Sequence, residues 1–128
     1  MRFVYTGIRV RDLEQSIRFY TRICGMDIIS RGKISTTGGE IVVLKSPESL
    51  QELELNYYPN ETEFKSGDEL DHLAFEVEDL ENFLMNIAKE GIKPKSEIIF
   101  GGVRWSKWCY IVDPDGIWIE INEKKSRT

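Results

Sequence analysis

The sequence predicts an α+β domain built from two copies of one βαβββ module, whose mixed sheets curl into a cup. Two short internal matches at nearly the same offset support this prediction: residues 8–14 repeat at 75–81, and residues 53–56 repeat at 119–122. Self-similarity at a fixed period indicates a duplicated structural unit. We therefore expect one domain over residues 1–128, with a first module at 1–66 and a second at 67–128.

Each module is predicted to begin with a strand that leads into a helix. Asp12 and Asp79 are placed to cap the helices, because a carboxylate accepts hydrogen bonds from the first free N–H groups and favours the positive end of the helix dipole. Gly25 and Gly91 stand where a left-handed residue would end each helix, one residue closer to the cap in the second copy. Apolar residues recur near helical spacing at 13, 17, 20, 23 and 24, and again at 80, 83, 84, 87 and 88.

After each helix the apolar pattern changes towards a period of two, which predicts three strands per module. Glycine and proline pairs supply the turns between them, as in Asp113-Pro114-Asp115-Gly116, and the polar stretch 59–68 is predicted to connect the modules. The predicted strands are 26–31, 41–45 and 52–57 in the first module, then 97–100, 105–112 and 117–122 in the second.

Alternation along the strands places the notable polar groups on the sheet faces away from the helices. If the two sheets curl towards each other, these groups share one concave space, in which the repeat pairs the first-strand positions and the closing-strand positions. An imidazole and two carboxylates are good ligands for a divalent metal, and their scatter over three strands favours an open, catalytic geometry. The predicted constellation is Tyr5, Glu54, His72 and Glu120.

Composition excludes several classes of function. The formal charge is −5, which disfavours nucleic acid as a partner. No apolar run reaches the length of a membrane span and no leader pattern opens the sequence, so we expect a cytoplasmic protein.

The two cysteines, Cys24 and Cys109, lack the spacing of a metal knuckle or a redox motif, and we interpret both as packing residues.

Several motifs, in order along nearly the whole chain, resemble the bacterial glyoxalase I branch of the vicinal oxygen chelate superfamily, which also includes bleomycin-resistance proteins and extradiol dioxygenases. The resemblance implies the fold of that superfamily and a homodimer in which modules from two chains complete each site. The matching segments are 4–13, 19–20, 25–26, 71–75, 113–116 and 119–120.

The resemblance also implies site roles. In that branch the metal is held by a His or Gln, a Glu, a His and a Glu; the matching positions here are Tyr5, Glu54, His72 and Glu120, so Tyr5 departs from the pattern. Glu120 is the expected catalytic base of a metal-dependent lyase or isomerase, with nickel, zinc, cobalt, manganese or iron as the ion. Arg9 matches the family's substrate-binding arginine.

A second hypothesis is a metal-free binding protein of the bleomycin-resistance type that holds an aromatic or cationic compound. Trp105 and Trp118, together with Trp108 and Tyr110, would line its stacking cleft. Extradiol oxygenase chemistry fits less well because its iron triad needs two imidazoles and the chain has one histidine. Epimerisation of a coenzyme A ester stays open within the first hypothesis.

Overall fold

A computed structural model describes residues 1–65, 67, 69–102 and 104–125. The chain divides into two compact units, Met1–Ser66 and Gly67–Thr128. The module ends that we predicted at residues 66 and 128, and the end of the connecting segment at residue 68, lie outside the described residues.

The first unit contains one helical segment and a four-stranded mixed sheet. Its strands are β1 (Thr6–Arg9), β2 (Asp27–Lys33), β3 (Glu40–Lys45) and β4 (Glu52–Tyr57), and its helix is α1 (Leu13–Arg18). The strand order is β1-β4-β3-β2, with β1 parallel to β4 and the other neighbours antiparallel. This is the predicted βαβββ arrangement, since β1 crosses through α1 before the three remaining strands form a meander.

The second unit repeats the arrangement. Its strands are β5 (Leu73–Val77), β6 (Ile99–Phe100), β7 (Trp105–Val112) and β8 (Trp118–Lys124), and its helix is α2 (Leu80–Ala88). The strand order is β5-β8-β7-β6, and β5 is parallel to β8. Two mixed sheets with few helices confirm the predicted α+β class.

The predicted caps are confirmed in both units. The Asp12 side chain accepts a hydrogen bond from the backbone N–H of Gln15 at 3.0 Å, and the Asp79 side chain accepts one from Asn82 at 2.9 Å. Gly25 has φ 69° and Gly91 has φ 82°, the left-handed conformation expected of a residue that ends a helix.

The first helix differs from the predicted uniform α-helix. After Arg18 the chain forms a π-helical turn over Phe19–Ile23, in which the N–H of Cys24 donates to the carbonyl of Phe19, five residues back, at 3.2 Å. A π turn takes one more residue than an α turn. The additional residue between cap and glycine in the first copy is therefore absorbed within the helix.

Four predicted strands have different bounds in the structure. β3 begins one residue earlier than predicted, β8 begins one residue later and ends two residues later, and the edge strands β2 and β6 also differ. β2 begins and ends later than predicted, is exposed along its length, and shifts register between Ile28 and Ser30. β6 is limited to Ile99 and Phe100. Both strands lie at sheet edges, where only one neighbour fixes their extent.

Alternation on the central strands is confirmed by burial. Leu53 and Leu55 are buried on β4, and Ile119 and Ile121 are buried on β8, while the intervening glutamates are partly exposed.

Helix α2 buries Leu80 and Ile87, but Ala88, which we predicted in its apolar stripe, is exposed. Among the described residues, no helix is long and apolar enough to cross a bilayer.

Candidate functional site

Strand register places the two predicted glutamates at equivalent positions in their units. Glu54 is paired with Gly7 on β1, and Glu120 is paired with Ala74 on β5. Tyr5 lies two residues before Gly7, and His72 lies two residues before Ala74, each just ahead of its strand. Tyr5 and His72 thus correspond to each other, as the repeat predicted.

In the second unit, His72 and Glu120 approach each other. The Nε2 atom of His72 lies 3.3 Å from Oε2 of Glu120. The Nδ1 atom of His72 lies 2.6 Å from Oδ1 of Asp71. A carboxylate only accepts hydrogen bonds, so the contact with Asp71 places a proton on Nδ1. In the neutral ring the lone pair of Nε2 then faces an oxygen of Glu120, and two facing acceptors at this distance favour a cation or a proton between them.

Tyr110 completes this cluster. Its hydroxyl donates to Oε2 of Glu120 at 2.8 Å, and its ring meets the rings of His72 and Trp118 edge-on, with centroids 5.9 and 5.1 Å away. The hydrogen bond to Glu120, followed by burial, raises the pKa of Tyr110 to about 12. Tyr110 therefore stays protonated and keeps donating throughout the physiological range.

The hairpin between β7 and β8 fixes the position of Tyr110. Asp113 starts the turn: its Oδ1 accepts from the backbone N–H groups of Asp115 and Ile117, both at 2.8 Å. Gly116 follows with φ 92°, a conformation that favours glycine. This turn sets the register in which Tyr110 lies directly opposite Glu120.

In the first unit, Glu54 has a different neighbour. The residue opposite it on β3 is Val43, which has no hydrogen-bonding group. Tyr5 is 47% exposed, and among the described residues no hydrogen bond joins it to Glu54. The structure thus brings two of the four predicted residues into contact, His72 and Glu120, within one unit.

Arg9 lies beside a cleft in the first unit. The cleft has a volume of about 420 Å³ and is lined by Arg9 and by the residues from Pro59 to Phe64. The guanidinium of Arg9 lies 3.8 Å from a carboxylate oxygen of Glu61 and is stacked over the rings of Tyr58 and Phe64, at 4.9 and 5.6 Å from their centroids. Glu61 therefore competes with any anion for Arg9.

The predicted tryptophans have different surroundings. Trp118 is 42% exposed and contacts Tyr110, next to Glu120. Trp105 is half-buried, and the guanidinium carbon of Arg104 lies over its ring, 5.3 Å from the ring centroid. Trp108 packs against Gly102, where an added Cβ would approach its ring to 3.1 Å. Of the two tryptophans predicted to bind a ligand, Trp105 and Trp118, Trp118 is the one that adjoins the His72–Glu120 pair.

Apart from the cluster of His72, Glu120 and Tyr110, a group of three acidic side chains lies near the start of α2. Ligand atoms of Asp79, Glu81 and Glu123 lie within 4.8 Å of one another. Lys107 contacts Glu81 at 2.6 Å and Glu123 at 3.5 Å, and its hydrogen bond lowers the pKa of Glu81. Glu123 also accepts from the backbone N–H of Leu80 at 2.9 Å. Lys107 and the helix N-terminus thus satisfy this cluster, which is separate from the predicted ligands.

Sequence reasoning did not single out the contacts of Asp71 with His72 and of Tyr110 with Glu120. Asp71 was visible as the residue before His72, and a carboxylate next to an imidazole is itself a signal. Tyr110 appeared only as one of several strand aromatics. Its contact with Glu120 follows from the hairpin register, and the Asp-Pro-Asp-Gly turn was the available clue to that register.

Comparison with known proteins supports the resemblance. The sequence model of the Glyoxalase/Bleomycin resistance protein/Dioxygenase superfamily matches residues 2–121. The lactoylglutathione lyase of Haemophilus influenzae is 28% identical over 130 residues, which cover 98% of this chain and 95% of that protein. A probable trivalent organoarsenical cleaving enzyme of Bacillus subtilis is 30% identical over 126 residues, covering 91% of this chain and 75% of that protein.

Solved structures show the same fold. The trypanothione-dependent glyoxalase I of Leishmania major aligns with a TM-score of 0.81 at 30% identity, over 96% of this chain and 86% of that one. An antibiotic-binding protein from Streptomyces, TnmS3, aligns with a TM-score of 0.74 at 17% identity, over 98% and 97% of the two chains, a likeness of fold alone. The chain belongs to the glyoxalase/bleomycin resistance protein/dioxygenase superfamily.

Proposed function

We propose that the chain is a glyoxalase I-like, metal-dependent lyase or isomerase that acts on a small carbonyl substrate. The approach of His72 Nε2 to Glu120 Oε2 at 3.3 Å carries this proposal, because an imidazole nitrogen and a carboxylate oxygen that face each other are suitable ligands for a divalent cation. The lactoylglutathione lyases among the relatives point to the same chemistry.

His72 and Glu120 would hold the metal, and a metal bound there would polarise the substrate's carbonyl oxygen. Glu120 would take a proton from the hydroxyl-bearing carbon next to the carbonyl and return it to the former carbonyl carbon. The hydroxyl proton would pass to the former carbonyl oxygen, so that the net reaction is an isomerisation. Its side chain is 15% exposed, which limits the access of water to that proton. Positioned proton transfer of this kind accelerates a reaction by about 10²- to 10⁴-fold.

Tyr5 and Glu54 stay predictions as further ligands. A neutral phenol is a weak ligand, since its proton leaves only near pH ~10 in an ordinary setting. Replacing Tyr5 with His is expected to raise the metal affinity, because imidazole suits these divalent metals better. An unchanged affinity in Tyr5→His would exclude that position from the ligand set, and an unchanged affinity in Glu54→Gln would exclude Glu54.

Arg9 is proposed to hold an anionic group of the substrate, as the family's arginine does. The Glu61 carboxylate competes for it, so we expect a weak preference for glutathione conjugates over neutral thiol conjugates. Glu61→Gln should lower KM for a glutathione conjugate and leave KM for a neutral one unchanged. Equal effects on both substrates would remove Arg9 from substrate binding.

Bound metal and activity are the direct test. The purified protein is stripped with a chelator, reconstituted with nickel, zinc, cobalt, manganese or iron, and dialysed, and metal is then measured alongside thioester formation from methylglyoxal and glutathione. We expect stoichiometric metal, and a loss of about 10²- to 10⁴-fold in kcat for Glu120→Gln. Glu76→Gln, an exposed glutamate on β5, is the matched control and should keep full activity. Wild-type protein that retains no metal would refute the proposal.

A metal-free binding protein is the second candidate. The exposed ring of Trp118, supported edge-on by Tyr110 at 5.1 Å, favours it because such a ring can stack on an aromatic or cationic ligand. A screen of such compounds by tryptophan fluorescence, in the presence of chelator, tests this function. Quenching in wild type that is lost in Trp118→Ala and kept in Trp105→Ala would support it.

The state of assembly and the cellular location are further proposals. We propose a homodimer and a cytoplasmic protein that has no nucleic-acid partner. Sedimentation velocity tests the dimer, and a sedimentation coefficient that corresponds to a monomer at all concentrations would refute it.

A further inference from the structure

We propose that Asp71 and Tyr110 are positioning residues that hold His72 and Glu120 in the geometry needed for a shared divalent cation. This inference rests on the proposed function. It assigns roles to two side chains that the sequence did not single out as parts of a metal site. Neither residue is proposed to touch the cation or the substrate.

Asp71 acts on His72. Its Oδ1 lies 2.6 Å from Nδ1 of the ring, so the proton of the neutral imidazole is held on Nδ1. The Nε2 atom then keeps its lone pair and is directed at Oε2 of Glu120. Metal-binding histidines commonly donate their other ring N–H to a carboxylate in this way, which fixes both tautomer and orientation.

Tyr110 acts on both partners. Its hydroxyl donates to Oε2 of Glu120 at 2.8 Å, and its ring packs edge-on against the ring of His72. One hydrogen bond and one ring contact from a single side chain restrict the rotamers of Glu120 and His72 together. Trp118 packs on Tyr110 in turn and limits the rotation of the phenol.

The first unit shows that these contacts are not needed to build the sheet. Val4 and Val43 occupy the positions that correspond to Asp71 and Tyr110, since Val4 precedes Tyr5 and Val43 is paired with Glu54. Valine can make neither hydrogen bond, yet the first unit forms the same four-stranded arrangement. The polar pair in the second unit is therefore better explained by the site than by the fold.

Metal affinity is the measurement that tests this role. The dissociation constants of Co²⁺ and Zn²⁺ are determined by chelator competition for wild type, Tyr110→Phe and Asp71→Ala. We expect Tyr110→Phe to weaken binding by about 10- to 100-fold. Asp71→Ala should fall at the lower end of that range, because Asp71 is 92% exposed and water weakens its contact. Asp71→Glu, which restores a carboxylate, should recover part of the affinity.

A structural role alone would not reproduce the full pattern. The visible absorption spectrum of the Co²⁺-loaded protein should change in both variants, because the ligand geometry changes. Tyr57→Phe, which removes a hydroxyl from β4 in the first unit, is the matched control and should leave affinity and spectrum unchanged. The metal-free Tyr110→Phe protein should unfold in denaturant about as readily as this control.

The outcomes separate this inference from the proposed function. Wild-type protein that binds metal, with equal or tighter binding in Tyr110→Phe and Asp71→Ala, would overturn the positioning roles and leave the proposed function standing. Wild-type protein that binds no metal would overturn both.

Discussion

Glu54 and Glu120 occupy the same register position in the two units, yet they have different neighbours. Glu54 faces Val43 across the sheet, whereas Glu120 faces Tyr110 and approaches His72. The backbone framework is thus shared, while the hydrogen-bonding side chains around the glutamate are concentrated in the second unit. Duplication thus supplies equivalent backbone positions, and substitution at a few of them gives Glu54 and Glu120 different side-chain neighbours.

The two units also differ in their helices. The first copy absorbs one additional residue in a π-helical turn, and the second copy reaches its glycine by a shorter path. Both helices still begin at an aspartate cap and end before a glycine with positive φ. Variation in the helix therefore leaves the cap, the terminating glycine and the strand register unchanged.

The largest expected effects come from the equivalent core positions Leu55 and Ile121. Both side chains are almost completely buried, so Leu55→Ala and Ile121→Ala should each lower the free energy of unfolding by about 2 to 5 kcal/mol. Chemical denaturation followed by circular dichroism measures the loss. A cost below about 1 kcal/mol at only one of the sites would show that the two cores are not packed alike.

Two equivalent asparagines, Asn56 and Asn122, should show a difference in stability between the two units. Asn122 is fully buried and its Oδ1 has no partner among the described residues, whereas Asn56 is half-buried; each donates a long hydrogen bond from Nδ2 to the neighbouring parallel strand. Asn122→Asp should destabilise by about 3 kcal/mol at neutral pH, and Asn56→Asp by about 1 kcal/mol, because a buried carboxylate lacks both water and a donor.

The pH dependence of these two variants gives a check on the cause. Burial disfavours the charged form and raises the folded-state pKa of the new carboxyl group at position 122. A protonated group carries no such penalty, so the loss of stability should shrink as the pH falls through the raised folded-state pKa and should be smallest once the pH is below the ordinary pKa of an aspartate. A loss that stays constant from neutral to acid pH would point to a change of shape instead.

Smaller effects are expected at the helix caps. Asp12→Ala should cost about 1 kcal/mol, the usual value for a lost cap. Asp79→Ala should cost less, because Asp79 lies close to Glu81 and Glu123 and its removal relieves repulsion. Asp12→Asn and Asp79→Asn keep a capping oxygen and serve as controls. An equal loss of unfolding free energy in the two alanine variants would show that repulsion within the acidic cluster does not affect stability.

The smallest difference concerns thiol reactivity. Burial raises the pKa of Cys109, which is fully buried, while Cys24 is partly exposed. Because the thiolate is the reactive form, a thiol reagent at mildly alkaline pH should modify Cys24 in the native protein and spare Cys109 until the protein unfolds. Mass spectrometry of the labelled peptides reads the result, and early labelling of Cys109 would reveal local opening of β7.

The sequence by itself determined the duplicated framework. Caps, terminating glycines and strand alternation depend on local residue types and short spacings, so Asp12, Gly25 and the buried residues of β4 and β8 could all be assigned without coordinates. The sequence did not predict features for which the same local pattern is compatible with more than one structure. The π-helical turn satisfies the same apolar stripe as an α-helix, and the edge strands β2 and β6 have a single neighbour to fix their ends.

Only the tertiary structure decided what surrounds each glutamate. Tyr110 and Glu120 are ten residues apart, and their contact depends on the register of a hairpin. His72 meets Glu120 because β5 pairs with β8 over a long separation in sequence. The sequence nominated His72 and Glu120 through the repeat. Only strand pairing brings the phenol of Tyr110 and the imidazole of His72 within hydrogen-bonding distance of Glu120, because no local propensity encodes that approach.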